Sequence, residues 1–168
     1  MLPIVLEPGS LAVGLCGAGE GLARRQAMLA AAGVLPASVT PDAGEEALRG
    51  LAVLFIAGLP HPQAHGLAGR ARLCGVLVNV EDLLALCDFH VPAAVRRGDL
   101  LVTVSTGGKA PGLAKAIREW LEMRLDAAWG AHLGEAAQAR TLWRRAGHSL
   151  AEVSRRSRAL AEQNGWLP

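Results

Sequence analysis

No stretch of the 168-residue sequence approaches the roughly 20 consecutive apolar residues that cross a bilayer, and no basic region precedes an uninterrupted apolar run at the N-terminus. These absences predict a soluble, cytoplasmic protein with no membrane partner. Cysteine is scarce: Cys16, Cys74 and Cys87 make an odd count, and none stands in a CxxC pair. Reduced, mostly buried thiols are therefore expected, with neither a zinc site nor a disulfide framework. An excess of charge of one sign is missing too. With 17 Lys and Arg against 15 Asp and Glu the net charge is only +2, which argues against a dedicated nucleic-acid binder and leaves local patches available to an acidic substrate. The length suits one compact domain with an appendage, able to bury a core without covalent or metal staples.

What the chain does contain is organised around residues 76–111. Val76 to Val80 is a short, β-branched run that stops at Glu81-Asp82, as a buried parallel strand does at the rim of its sheet, where groups face ligand crevices. Leu100 to Val104 is a second strand-like run. It breaks into Ser105-Thr106-Gly107-Gly108-Lys109, after which Pro111 suits the first turn of a helix reaching Leu125. A hydroxyl-and-glycine turn at a helix start suits an anion. The GxxxxGK[ST] spacing of a phosphate loop is absent, so a nucleoside triphosphatase is set aside.

Upstream, Leu11 to Cys16 leads into Gly17-Ala18-Gly19-Glu20-Gly21, and Leu22 to Ala32 reads as a helix closed by Gly33. Strand, glycine turn and helix follow the logic of dinucleotide binding. Gly17 permits the tight turn, Gly19 lets backbone approach a pyrophosphate, and the helix start stabilises its charge. The third fingerprint position holds Leu22, with Gly21 one place early, and the turn also fits a plain strand-to-helix connection. Ala37 to Thr40 is a weak second strand. Asp42 stands at the distance of a ribose-binding carboxylate and equally suits a Pro-Asp turn or a helix cap.

Leu51 to Ala57 reads as a buried strand ending in Gly58-Leu59-Pro60-His61, and His61 and His65 read as exposed loop residues rather than ligands or bases. Leu67 to Leu73 is expected as a short helix. This β-α-β alternation implies a right-handed parallel sheet with helices on its faces. Ala93 to Arg97 and the 100–104 strand suggest a unit outside that sheet. On the following helix Leu113, Ile117, Trp120, Leu121 and Leu125 share a face expected to be buried, while Lys115, Arg118 and Glu122 stay wet. From Asp126 onward small helices are expected, with Arg140, Arg144, Arg145, Arg155, Arg156 and Arg158 as a solvated face or as partners for substrate carboxylates.

Asn79-Val80 followed by Asp82, the segment Cys87 to Ala93, Arg96-Arg97, and Ser105 to Gly108 ahead of Pro111 resemble, in order and spacing, one family. It is the precorrin-2 dehydrogenase/sirohydrochlorin ferrochelatase family of siroheme synthesis. With the opening Leu2 to Leu6 and the glycine turn, the resemblance covers residues 1–130. It implies an α/β fold: a Rossmann-like parallel sheet with a small dimerisation unit and a C-terminal helical segment. Residues 1–91 would form the NAD-binding domain, 92–125 the dimerisation and substrate-binding unit, and 126–168 the helical segment. The implied cofactor is NAD, held by Gly17, Ala18, Gly19, Glu20, Gly21, Leu22 and Asp42.

The implied substrate is an octacarboxylate tetrapyrrole, precorrin-2 going to sirohydrochlorin, met by Asn79, Arg96, Ser105, Thr106, Gly107, Gly108 and Lys109. Asp82 takes the family's acidic catalytic position, where a carboxylate accepts a proton as hydride leaves, or receives pyrrole protons in members that also insert iron. It also suits a cap on the turn that follows. No resident metal is implied, and the expected form is a cytoplasmic homodimer without the methyltransferase fused in some members. Three departures fall on the cofactor side: Leu22, a shortened stretch between Asp42 and Leu51, and Gly58-Leu59-Pro60 where the family carries threonine and acidic residues. The alternative is therefore a tetrapyrrole-binding or scaffolding homologue that has lost NAD turnover.

Overall fold

The structure is a computed structural model and describes residues 2–167. The described chain divides into two compact units, one closing at Val91 and the other opening at Pro92. None of the described helices is long and apolar enough to cross a membrane.

The first unit alternates strands and helices: β1 (Val13–Gly17), α1 (Gly19–Ala31), β2 (Ala37–Ser38), α2 (Glu45–Leu48), β3 (Val53–Ala57), α3 (His61–Leu73) and β4 (Leu77–Val80). The four strands pair in parallel in the order β2-β1-β3-β4. This is the expected Rossmann-like α/β sheet. Strand β3 lies at its centre because Val-Leu-Phe-Ile-Ala is apolar at every position and can be buried on both faces. Leu54 and Ile56 pack with Ala64, Leu67, Ala68 and Ala71 of α3, whereas Val53 and Phe55 join Leu29 and Leu22 of α1. Leu54, Ile56 and Leu67 are fully buried, each stabilising the fold by about 2 kcal/mol.

From β1 the chain steps to β2 on one side, then returns to lay β3 and β4 on the other. The carboxyl ends of β1 and β3 therefore flank the point where the strand order reverses, the place at which open α/β sheets bind ligands.

Helix α3 is longer than the expected 67–73 segment. Pro62 fits its first turn, and Gly66 and Gly69 only blurred the periodicity without breaking the helix. Helix α1 likewise starts inside the glycine turn, at Gly19 rather than Leu22.

The second unit opens with an antiparallel pair, β5 (Ala93–Arg97) and β6 (Leu100–Val104), followed by α4 (Pro111–Arg124), α5 (Trp129–Arg145) and α6 (Leu150–Gln163). Arg97 donates to the carbonyls of Leu125, at 2.6 Å, and of Glu122, at 3.2 Å, and so satisfies the end of α4 with a cation where the helix dipole favours one. Instead of small helices, the chain after Asp126 forms two of 17 and 14 residues, the second opened by a Ser149–Glu152 capping box.

Helix α4 corrects one expectation. Its packed face runs through Ala114, Arg118, Leu121 and Leu125, while Leu113, Ile117 and Trp120 are exposed. The apolar residues cover too wide an arc for one two-stranded hairpin to bury.

At the β1–β3 junction a Cβ on Gly58, whose φ is 66°, would stand 2.2 Å from the Ala18 carbonyl oxygen. Gly33 has a φ of 74° and nothing within 4 Å of its would-be Cβ. Both substitutions to alanine carry left-handed strain, but only Gly58→Ala adds a backbone collision. Gly58→Ala is expected to cost about 2 kcal/mol more than Gly33→Ala, read from urea unfolding midpoints at equal slope.

Candidate functional site

The turn between β1 and α1 leaves donors free at the start of a helix. Ala18 is its N-cap in an extended conformation, and no side chain caps the first-turn amides. Gly19 adopts a φ of 58° with open space around it. This arrangement fits an anionic diphosphate approached by backbone.

Gly21 is buried, and a Cβ there would lie 3.0 Å from the Gly58 amide nitrogen and 2.6 Å from a Glu81 carboxylate oxygen. The close helix-to-strand approach expected of the third fingerprint glycine is thus made one residue early. Leu22 instead turns into the core beside Phe55.

Around Gly21 the ends of the strands enclose an open cleft of about 330 Å³, lined by Gly21, Arg24, Gly58, Leu59, His61, Glu81, Asp82 and Leu83. Glu81 organises its rim. Its carboxylate pairs with Arg24 at 3.4 Å and with Arg25 at 3.8 Å, and Arg24 also reaches Glu20 at 3.5 Å. Arg25 in turn lies over the Phe55 ring, 5.9 Å from its centroid. From sequence Arg24 and Arg25 stand where the resembled family carries a basic pair and read as a solvated helix face, and Glu81 reads only as the end of its strand. The signal was the adjacent arginine pair on the first turns of the helix, visible only once β4 ends opposite it. His61, expected in a loop, begins α3 and faces this cleft, with the His65 ring one turn on at 6.3 Å.

Asp42 follows the two-residue strand β2. The Thr40 hydroxyl, the Asp42 amide and the charge of Arg70 hold its carboxyl below the usual carboxylate range. Burial and then the negative charge of Asp42 push the Cys16 thiol up, which puts Asp42 electrostatically within reach of β1. Arg70 of α3 donates to the Pro41 carbonyl at 2.6 Å and the Ala43 carbonyl at 2.9 Å. Where the resemblance leads one to expect a further strand, this guanidinium and the four-residue α2 hold the loop.

At the end of β4, Asn79 is 4% exposed. Its amide donates to the Phe89 carbonyl at 2.9 Å, so its direct partner is the loop that follows. Asp82 is exposed, with a φ of 61°. The 3-10 turn Leu84–Leu86 has Leu83 as its N-cap and no side-chain capping bond, so capping is not what Asp82 does here.

In the second unit the Ser105 hydroxyl accepts from the Gly107 amide at 3.3 Å, and the Thr106 hydroxyl accepts from the Ala110 amide at 3.2 Å. Gly107 and Gly108 both take left-handed conformations, with φ of 63° and 76°. Lys109 and Arg96 are exposed nearby in sequence, whereas Arg97 is committed to the end of α4. Twelve of the basic residues but only seven of the acidic ones lie from Pro92 onward, so this unit carries an excess of positive charge.

Comparison with known proteins places these features in a lineage. The chain is 37% identical over 145 residues to a siroheme synthase of Pseudomonas fluorescens, a match covering 74% of this chain and 31% of that protein. It is 32% identical over 159 residues to a siroheme synthase of Methylobacillus flagellatus, covering 83% and 34%. The chain thus spans about a third of the length of these curated relatives. Among solved structures it is similar to SirC, a precorrin-2 dehydrogenase, with a TM-score of 0.69 at 19% identity over 99% of this chain and 100% of that one. No protein-family model matches the chain.

Asp42 yields a test of the loop. Because its folded-state pKa is depressed, its contribution to stability is present above the ordinary carboxylate range and lost as pH falls through the folded value. Thr40→Val removes the largest cause of the depression. Carboxyl NMR is expected to show Asp42 titrating at higher pH in the variant, and the stability gap between variant and wild type to close on acidification.

Proposed function

The chain belongs to the precorrin-2 dehydrogenase family of siroheme synthesis, and from that premise we propose that it oxidises precorrin-2 to sirohydrochlorin with NAD. The observation that carries the proposal is the meeting, in one cleft at the strand-order reversal, of the α1 glycine turn and the Asp82 carboxylate. NAD, when bound, supplies the hydride acceptor. The uncapped amides of Gly19, Glu20 and Gly21 would hold its diphosphate, and Asp42 the adenosine ribose. Ala18 and Leu22 contribute backbone and packing to that turn.

Oxidation removes a hydride and a proton, and Asp82 would take the proton. The same carboxylate would receive pyrrole protons if the macrocycle is subsequently metallated with iron as substrate. The carboxylates of the tetrapyrrole would be received by Arg96, Lys109, the hydroxyls of Ser105 and Thr106, and the amides of Gly107 and Gly108. Asn79 would serve that substrate through the loop it anchors. The positive balance of the second unit suits a polycarboxylate. This reading carries with it a cytoplasmic location.

A second reading, macrocycle binding without turnover, draws on the rebuilt loop after Asp42. One assay separates the two: anaerobic incubation with precorrin-2, with and without NAD, following NADH and the macrocycle spectrum. We expect NAD-dependent formation of sirohydrochlorin, lowered about 100-fold or more by Asp82→Ala. Spectral binding without NADH would favour the second reading.

The same family premise supports a homodimer. Besides Val95, Ala114 and Val153 the second unit has no fully buried apolar residue among those described, and Leu113 and Trp120 are 57% and 49% exposed. A second copy covering this face would supply the missing core. Trp120→Glu is expected to shift the sedimenting species from dimer to monomer at micromolar concentration. A monomeric wild type would overturn this assignment.

A further inference from the structure

Among the described residues Asp82 is the one non-glycine with a positive φ. It is the third residue of a turn closed by the Leu83 amide donating to the Val80 carbonyl at 3.3 Å, a position that favours glycine or asparagine. An aspartate held there is under backbone strain, and such strain persists only where the surroundings impose it.

The surroundings are supplied by the next few residues. The Cys87 sulfur accepts from the Val80 amide at 3.3 Å and lies 3.1 Å from the Val80 carbonyl and 3.4 Å from that of Leu83. Its single thiol proton serves one carbonyl at a time while the Val80 amide bond is held in either case, so the sulfur anchors Val80, which opens the Asp82 turn, and lies against the carbonyl of Leu83, which closes it. Asp88 fixes the sulfur in turn. Its amide donates to the Val78 carbonyl at 2.8 Å, while its carboxylate accepts from the Val78 amide at 2.9 Å and from Arg72 of α3 at 2.9 and 3.1 Å. Arg72 also donates to the Leu86 carbonyl at 2.8 Å. Because β4 is an edge strand, this returning segment covers part of what would otherwise be an open edge.

We propose that Cys87 is a positioning residue for the Asp82 carboxylate, with Arg72 and Asp88 holding the thiol in register. The proposal rests on Asp82 as proton acceptor in the oxidation and adds what aims it. Cys87 does not line the cleft and acts through the turn it grips.

The test uses the full chain as wild type, Cys87→Ala, Cys87→Ser, Asp82→Ala and the Cys87→Ala/Asp82→Ala double variant. Cys87→Ala is expected to lower kcat for NAD-dependent oxidation about tenfold, leave KM for NAD within about twofold, and be largely rescued by Cys87→Ser. In the Asp82→Ala background it should lower turnover no further. An undiminished loss in that background, or a fall in NAD affinity matching the fall in kcat, overturns the proposal.

Amide hydrogen exchange supplies a readout independent of turnover. Exchange at Leu83 and Asp88 should accelerate in Cys87→Ala while β3 stays protected. If the wild type forms no NADH, the dehydrogenase reading fails by itself and exchange decides the latch. Acceleration confined to residues 80–89 upholds it; no acceleration, or acceleration across β3 as well, overturns it.

Discussion

The carboxyl ends of β1 and β3 meet backbone to backbone, and the first unit depends on that approach. A Cβ on Gly17 would stand 2.3 Å from the Ala57 carbonyl oxygen, and the Ala18 amide donates to that same oxygen at 3.1 Å. So close a junction fixes where α1 begins, which sets the direction of its unpaired amides. It also brings Gly21 against Gly58, leaving Glu81 room to reach past α1 and pair with Arg24 and Arg25. One backbone constraint thus places the uncapped start of α1 and the acidic rim of the cleft together.

Much of this was legible in the sequence, for reasons that differ by element. Strand β3 was readable because five consecutive apolar residues have few other uses in a chain this size. Strand β6 and the start of α4 were readable because Pro111 after a glycine turn is strong punctuation. The glycine turn is legible, but Leu22 at the third fingerprint position reads as a departure, whereas the close packing is made one residue earlier by Gly21. Fingerprint spacing presumes a standard approach of helix to strand, and here the partner backbone is Gly58. Helix α3 begins six residues before the expected 67–73 segment, and Ala64, Leu67, Ala68 and Ala71 bury one continuous face along it. The shortened stretch after Asp42 was visible as a deficit. Its repair was not, because Arg70 lies 28 positions downstream and only the fold brings it to Pro41 and Ala43.

Helix α4 shows a different limit. Periodicity grouped Leu113, Ile117, Trp120, Leu121 and Leu125, and the grouping is real, but the hairpin beneath buries only the edge that passes through Leu121 and Leu125. An apolar arc wider than its scaffold leaves Leu113, Ile117 and Trp120 exposed. A hydrophobic pattern can state that a face avoids water. Whether the cover comes from the same chain or another is set by how much surface the rest of the unit offers, and a two-stranded sheet offers little.

The loops that follow β2 and β4 in the first unit are held by separate devices. Arg70 secures the loop of Asp42, while Arg72, two residues on, secures through Asp88 the turn of Asp82. Both arginines come from the last turns of α3, yet they bind different loops on opposite sides of β1 and β3. Loss or rebuilding of the loop after Asp42 therefore leaves the Asp82 turn under its own restraint. No hydrogen bond of the Cys87–Asp88 segment passes through residues 37–51, so a change in the loop after Asp42 leaves the Asp82 turn's own contacts in place. The strained φ of Asp82 sharpens the point. Backbone strain at a single aspartate persists where the surrounding contacts impose it, and here they come from Cys87, Asp88 and Arg72 rather than from the loop of Asp42.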